Sequence, residues 1–183
     1  MGEFFADLAA EHASASAGEI PHLDYLQWHE WSIREPEAFW SAVWKTCGVI
    51  ANDTPGGTPW TSVVRGFERM APPDAKTGPV WFEGARLNFA ENLLRRRDNE
   101  PAVIFRGEDG RRREITFARL HAQAGAVAAA LTAMGVGPGD RVAGYLPNIP
   151  ETVIAMLGAA WVGAVWSSCS PDFGVKGVLD RFG

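Results

Sequence analysis

The hydrophobic and polar positions follow two rhythms, and the more regular one begins at Pro101. Ala102 to Arg106 predicts a strand, Glu108-Asp109-Gly110 a turn, and Arg112 to Ile115 the returning strand of a hairpin. Thr116 then precedes apolar residues at 117, 120, 124, 127, 131 and 134. Steps of three and four place these on one face of a helix, which Gly135 closes. Val142 to Leu146 predicts a short buried strand. Asn148 to Glu151, with Pro150 in the first turn, predicts a helix that stops at Gly163, and Ala164 to Ser167 predicts the next strand. Strand, helix, strand, helix, strand implies right-handed crossovers and a parallel sheet covered on both faces. The expected class is α/β, a partial parallel sheet flanked by helices.

Upstream of Pro101 the pattern is aromatic and less periodic. Trp28, Trp31, Phe39, Trp40 and Trp44 concentrate between Leu23 and Trp44, and Pro36 with Glu37 opens a helix on which residues 39, 40, 43 and 44 share a face. An aromatic stripe at this spacing usually packs a core, and the sharper alternative is a docking surface. Residues 51–79, rich in Pro, Gly, Asp and Thr (Asp53 to Pro59, Ala71 to Asp74), predict a long irregular connection with one short strand at Thr61 to Val64. Asn88 with Glu91 resembles a capping box, and Arg95 to Arg97 suit the C-terminal end of the helix it would start. Residues 1–20, with small and polar Ala13 to Gly18, predict a frayed arm.

Charge and composition narrow the function classes. A net charge of -5 and a pI near 5.4 disfavour nucleic acid, whose phosphates need a clustered basic face. The runs Arg95 to Arg97 and Arg111 to Arg113 read as solvated charge. Cys47 and Cys169 form no metal-binding or redox spacing, the N-terminus lacks a positive leader, and Ala6 stands where N-myristoylation wants Ser or Thr; the expected location is cytoplasmic. Thr152 to Pro171 carries no charge and is long enough to span a membrane, but capping signals and Gly163 divide it into a buried helix and a buried strand. No membrane partner is expected. Val178 to Gly183 falls inside a helix begun near Val175, so the domain is expected to be cut there, leaving an unpaired edge or apolar patch through which copies could self-associate.

Most tempting motifs fail on context. Gly135-Val-Gly137-Pro-Gly139 follows a helix and precedes a strand, the reverse of a dinucleotide fingerprint, and reads as a helix stop plus turn. Asp172-Phe173-Gly174 matches a kinase triplet without the elements that should precede it. There is no phosphate loop, no nucleophile elbow and no zinc-protease pair. The four histidines, at 12, 22, 29 and 121, form no catalytic constellation, and His121 falls between the apolar positions of its helix, where exposure is expected. The remaining candidate is Ser167 to Gly174, just beyond the carboxyl end of a predicted parallel strand, where ligands of open α/β sheets gather. The plain alternative is a strand-to-helix connection capped by Ser170 or Asp172.

Three stretches carry a resemblance: Trp81-Phe-Glu-Gly-Ala-Arg-Leu-Asn-Phe-Ala-Glu-Asn-Leu-Leu94, Leu146-Pro-Asn-Ile-Pro-Glu-Thr152 and Ala159-Ala-Trp-Val-Gly-Ala-Val165. In this order they resemble the opening of the adenylate-forming acyl-CoA synthetases. Cys169-Ser-Pro-Asp-Phe-Gly174 with Val178-Leu-Asp-Arg-Phe182 is similar to the branch that activates acetoacetate. The resemblance covers about Tyr25 to Gly183. It implies an incomplete N-terminal domain of an adenylate-forming enzyme, with a helical and irregular segment over 1–80 and the first part of the AMP-binding domain over 81–183.

The implied reaction joins acetoacetate, ATP and coenzyme A through an acyl adenylate, with Mg2+ assisting. The family's phosphate loop, metal-binding glutamate, ribose-binding aspartate and C-terminal lysine match no position here, so no catalytic and no metal residue is carried over. This piece is expected to be inactive alone and to bind none of these molecules strongly. One carry-over remains: Ser170, Pro171 and Asp172 align with a Phe-Gly-Gly loop lining the nucleotide end of the coenzyme A site in the related acetyl-CoA synthetases. The loss of both glycines puts close backbone approach in doubt. Other readings are an acetyl- or propionyl-CoA synthetase fragment and a non-catalytic module that binds coenzyme A or a protein.

Overall fold

The computed structural model describes residues 6–8, 10, 24–52, 57–68 and 78–183, divided between two units, Met1–Arg86 and Leu87–Gly183. The Ala13 to Gly18 arm, Asp53 to Gly56 and Ala71 to Asp74 lie outside the described residues.

In the first unit, the aromatic-rich segment forms two helices. Asp24 and Gln27 build a reciprocal capping box: the Gln27 backbone N–H donates to the Asp24 carboxylate at 2.9 Å, and the Asp24 N–H donates to the Gln27 side chain at 2.8 Å. Helix α1 (Tyr25–Arg34) starts there, and α2 (Pro36–Thr46) follows after Glu35, because Pro36 can open a helix but not continue one. Leu8, Trp28, Trp31 and Ala42 are buried together, and Phe39 meets Trp31 edge-on at 5.2 Å. Strand β1 (Ser62–Arg65) pairs antiparallel with β2 (Val80–Glu83), setting Ser62 opposite Glu83. The predicted strand is thus present, moved by one residue. Phe82 has φ of +46°, a strained value for a residue with a side chain. Its ring centroid lies 4.5 Å from that of Trp44 and 5.1 Å from that of Trp60, an aromatic cluster that holds the residue in this conformation.

The second unit carries the regular rhythm. Strands β3 (Pro101–Arg106) and β4 (Arg112–Thr116) form an antiparallel hairpin that is a sheet of its own, while β5 (Arg141–Tyr145) and β6 (Val165–Cys169) pair in parallel from Arg141 opposite Val165 to Tyr145 opposite Cys169. The parallel sheet is therefore smaller than the alternation implied. Strand β4 shows why: only Ile115 is buried, and Arg112, Arg113 and Glu114 face solvent, unlike a strand covered on both faces.

Helix α3 (Phe89–Leu93) is a single turn, shorter than expected. Arg95 to Arg97 lie beyond it. Arg96 instead grips the Asp98 carboxylate at 2.8 and 3.0 Å, and its guanidinium covers the Phe117 ring at 4.1 Å. Asn88 caps α3 by accepting the Glu91 N–H at 3.1 Å, and its amide nitrogen donates to the carbonyls of Ala160 and Trp161, both at 3.0 Å. One side chain thus satisfies an orphan donor at the start of α3 and free carbonyls at the end of α5 (Pro150–Trp161).

Helix α4 (Phe117–Ala133) begins where the Thr116 hydroxyl accepts the Arg119 N–H at 3.2 Å. Leu120, Ala124 and Ala128 are buried along it. Met134, expected on the same stripe, is 71% exposed, because the helix has ended and Gly135, at φ of +83°, turns the chain away. Helix α5 crosses α4 closely. A Cβ on Gly158 would stand 2.5 Å from Val127 Cγ1 and 3.2 Å from the Ala124 carbonyl oxygen. Leu157 and Ala159 beside it have no exposed surface. Ala90, Leu94, Ile115, Leu120, Ala124, Ile154 and Leu157 form one core under this crossing.

The N-terminal end of α5 is set by proline rather than by a polar cap. Pro150 occupies the first helical position and is buried, Ile149 provides no side-chain cap, and the Thr152 hydroxyl donates to the Pro147 carbonyl at 2.7 Å. Glu151 receives two hydrogen bonds from Arg113, at 2.6 and 2.8 Å, which ties this end of α5 to β4. The uncharged run from Thr152 to Pro171 is thus a helix and a strand. Among the described residues no helix is long and apolar enough to cross a membrane.

Gly158→Ala should destabilise the fold by about 1–2 kcal/mol: overpacking against stiff Val127 costs about 1–3 kcal/mol, while alanine's better helix propensity recovers up to about 1. Urea denaturation measures the loss, and adding Val127→Ala should recover most of it. A Cβ on Gly137 meets nothing within 4 Å, so Gly137→Ala should change stability by less than about 0.5 kcal/mol.

Candidate functional site

The carboxyl ends of β5 and β6 lie side by side, and the connection leaving β6 is the candidate site. Gly144 makes room for the indole of Trp166, which a Cβ would meet at 2.6 Å. The Leu146 N–H donates to the Cys169 carbonyl at 3.3 Å, carrying the ladder one step past the strand end. The chain then closes a short 3-10 turn, Pro171–Phe173, before α6 (Gly174–Phe182).

Ser170, Pro171 and Asp172, named together from the sequence, fall in this one turn. The Ser170 hydroxyl donates to the Asp172 carboxylate at 2.8 Å and accepts the Asp172 N–H at 3.4 Å. Pro171 has no N–H, and its carbonyl accepts the Tyr145 hydroxyl at 2.7 Å. Gly174, at φ of +64° and ψ of 178°, releases the chain in a conformation that side chains disfavour. From α6, Arg181 donates to the Ser168 carbonyl at 2.8 Å, and its guanidinium stands 5.7 Å from the Phe173 ring centroid. Tyr145 carries no motif in the sequence, and Arg181 enters only as part of Val178 to Phe182. Only the β5–β6 register shows that Tyr145 ends beside Cys169.

These contacts decide which chemistry the turn can offer. The Ser170 hydroxyl is engaged by its neighbour, Pro171 offers no donor, and Asp172 presents negative charge, so the three residues do not fit a phosphate. What they offer outward is the exposed ring of Pro171, with Phe173 53% exposed beside it. The turn suits an uncharged flat face.

Apart from the turn, a concavity of about 330 Å³ is lined by Asn88, Ala90, Glu91, Leu94, Arg97, His121 and Trp161. His121 is not the exposed residue its helical position predicts: its ring packs against Trp161 with centroids 5.0 Å apart, and it is partly buried. Desolvation, and secondarily the Arg97 charge, hold its pKa below the ordinary 6.5. Elsewhere the charged groups pair at the surface, including Arg111 with Asp109 and Arg112 with Glu114, as expected of solvated arginine runs. Glu151 is held below the usual carboxylate range, first by its hydrogen bonds from Arg113. Among the described residues no three His, Cys, Asp or Glu side chains gather to hold a metal ion.

The AMP-binding enzyme family matches residues 89–181, and the acetyl-coenzyme A synthetase N-terminus family matches residues 25–93. An acetoacetyl-coenzyme A synthetase of Rhizobium meliloti (strain 1021) is 48% identical over 160 residues, 87% of this chain and 23% of that protein. An acetoacetyl-CoA synthetase of Rattus norvegicus is 44% identical over 165 residues, 87% of this chain and 22% of that protein. The solved structure of acetoacetyl-CoA synthetase from Streptomyces lividans matches all of this chain with a TM-score of 0.76 and 39% identity, over 27% of its own length. The chain thus spans less than a quarter of the curated relatives it matches.

His121 should titrate below 6.5 in an NMR experiment. Arg97→Gln should raise its pKa but leave it below 6.5, since desolvation is the larger cause. With the folded pKa below the unfolded one, the unfolded chain takes up the proton first as pH falls. Stability contributed around His121 is therefore full above pH 6.5 and declines as pH drops from 6.5 to the folded pKa.

Proposed function

Because this chain belongs to the AMP-binding enzyme family, we propose that its residues are the N-terminal scaffold of an ATP-dependent ligase that joins acetoacetate to coenzyme A. The observation that carries the reading is the identity of 48% with an acetoacetyl-coenzyme A synthetase sustained over 87% of the chain. The acid's carboxylate would attack ATP, forming the acyl adenylate and releasing pyrophosphate, and the coenzyme A thiol would then take the acyl group and release AMP. The mixed anhydride supplies the leaving group that thioester formation needs. Mg2+ would neutralise phosphate charge in the first step.

Within that ligase we assign residues 1–80 to the N-terminal segment and 81–183 to the start of the AMP-binding domain. No residue of this chain is given a catalytic or metal-binding role. Ser170, Pro171 and Asp172 are assigned to the nucleotide end of the coenzyme A site, where the turn would meet the uncharged face of the nucleotide through the Pro171 ring. Cys47 and Cys169 form no metal-binding or redox spacing, which supports a cytoplasmic location. Nucleic acid and membrane are not among the proposed partners, and self-association would run through exposed apolar positions of α6 such as Val175 and Leu179.

The full-length protein should release pyrophosphate in the presence of acetoacetate and form a thioester with coenzyme A, with kcat/KM at least about tenfold above that for acetate or propionate. A preference for acetate or propionate would move the assignment to those ligases. Absence of acid-dependent pyrophosphate release would contradict the ligase reading altogether. The 183-residue chain alone should show no ATP binding by calorimetry.

A further inference from the structure

We propose that Tyr145 is a positioning residue for coenzyme A, acting through the turn that it straps; this rests on the reading that the turn faces the nucleotide end of coenzyme A. Tyr145 is the last residue of β5 and stands opposite Cys169, the last residue of β6. Its hydroxyl reaches past the strand end and donates to the Pro171 carbonyl at 2.7 Å. The other ties around the turn have different reach. The Ser170 hydroxyl bonds Asp172 and the Ser170 carbonyl accepts the Phe173 N–H within it, and Arg181 links α6 to Ser168 in the strand before it and to the Phe173 ring. The Tyr145 hydrogen bond therefore couples the turn to the neighbouring strand and sets its height above the sheet.

That height matters because of what the turn lacks. With no N–H on Pro171 and the Ser170 hydroxyl engaged, the turn cannot hold a nucleotide by donors aimed at phosphate. Contact with a flat face depends instead on the placement of the Pro171 and Phe173 surfaces, and Gly174 at φ of +64° allows the turn to swing once the strap is cut. Loss of the strap should therefore weaken capture of coenzyme A without altering the bond-making steps.

The test is steady-state kinetics of the full-length protein carrying Tyr145→Phe, varying coenzyme A at saturating ATP and acetoacetate. KM for coenzyme A should rise about three- to tenfold, the range expected for one lost hydrogen bond, while kcat changes by less than about twofold. Incorporation of 3-fluorotyrosine at position 145 keeps the hydroxyl and should keep the KM of the natural protein. A KM within about twofold of natural for Tyr145→Phe, a fall in kcat at constant KM, or an equal rise in KM with 3-fluorotyrosine would each overturn the positioning role. Natural protein that makes no acetoacetyl thioester would remove the ligase reading and this proposal with it. Normal thioester formation with an unmoved KM in Tyr145→Phe removes the proposal alone.

Discussion

Helices α4 and α5 approach until a single missing Cβ decides the distance, and the second unit is arranged around that crossing. Gly158 lies against Val127 and the Ala124 backbone, with Leu157 and Ala159 fully buried on either side. Close packing of this kind has little capacity to relax, because interiors are as dense as organic crystals and Val127 is stiff at χ1. The glycine costs helix propensity, roughly 1 kcal/mol relative to alanine, and the burial it permits offsets that cost. The core beneath it draws from α3, β4, α4 and α5, so the crossing joins elements that lie far apart in the chain.

The positions of the β5 and β6 ends follow from the placement of α5. This helix connects the two strands, and its ends are held by contacts from outside the crossover: Arg113 on Glu151 at one end and the Asn88 amide on the Ala160 and Trp161 carbonyls at the other. The arginine pair is solvent-exposed and contributes more to orientation than to stability. Asn88 satisfies backbone groups that the helix termini leave open, which is the stronger constraint. With both ends of α5 set, the turn at Ser170 to Asp172 emerges beside Tyr145, with the Pro171 and Phe173 surfaces exposed.

Much of this was legible in the residues because local signals agreed with one another. Thr116 before a three-and-four apolar rhythm marked α4, Pro150 marked α5, and Gly135 and Gly163 marked their stops. The failures have identifiable causes. Arg95 to Arg97 suggested a longer α3 because cations suit a helix C-terminus, but Asp98 and the Phe117 ring take Arg96 instead. Met134 continued the periodicity of α4 beyond the point where Gly135 ends the helix. His121 lay off the apolar stripe, and periodicity has no means of showing that Trp161, forty residues on, packs against it. Strand order and family resemblance single out the turn at Ser170 to Asp172. Its tie to Tyr145 required the parallel register of β5 and β6, which no local pattern encodes.

Helix α5 packs on α4 and also connects β5 to β6, so the strand ends and the helix crossing share one element. The helix crossing and the strand pair should therefore open together. Native-state hydrogen exchange reads this out: amides of Ile154 to Ala159 and of the β5–β6 ladder should exchange with the same opening free energy, as one cooperative unit. Exchange of the β5–β6 amides at a clearly lower free energy, while α4 and α5 stay protected, would contradict it.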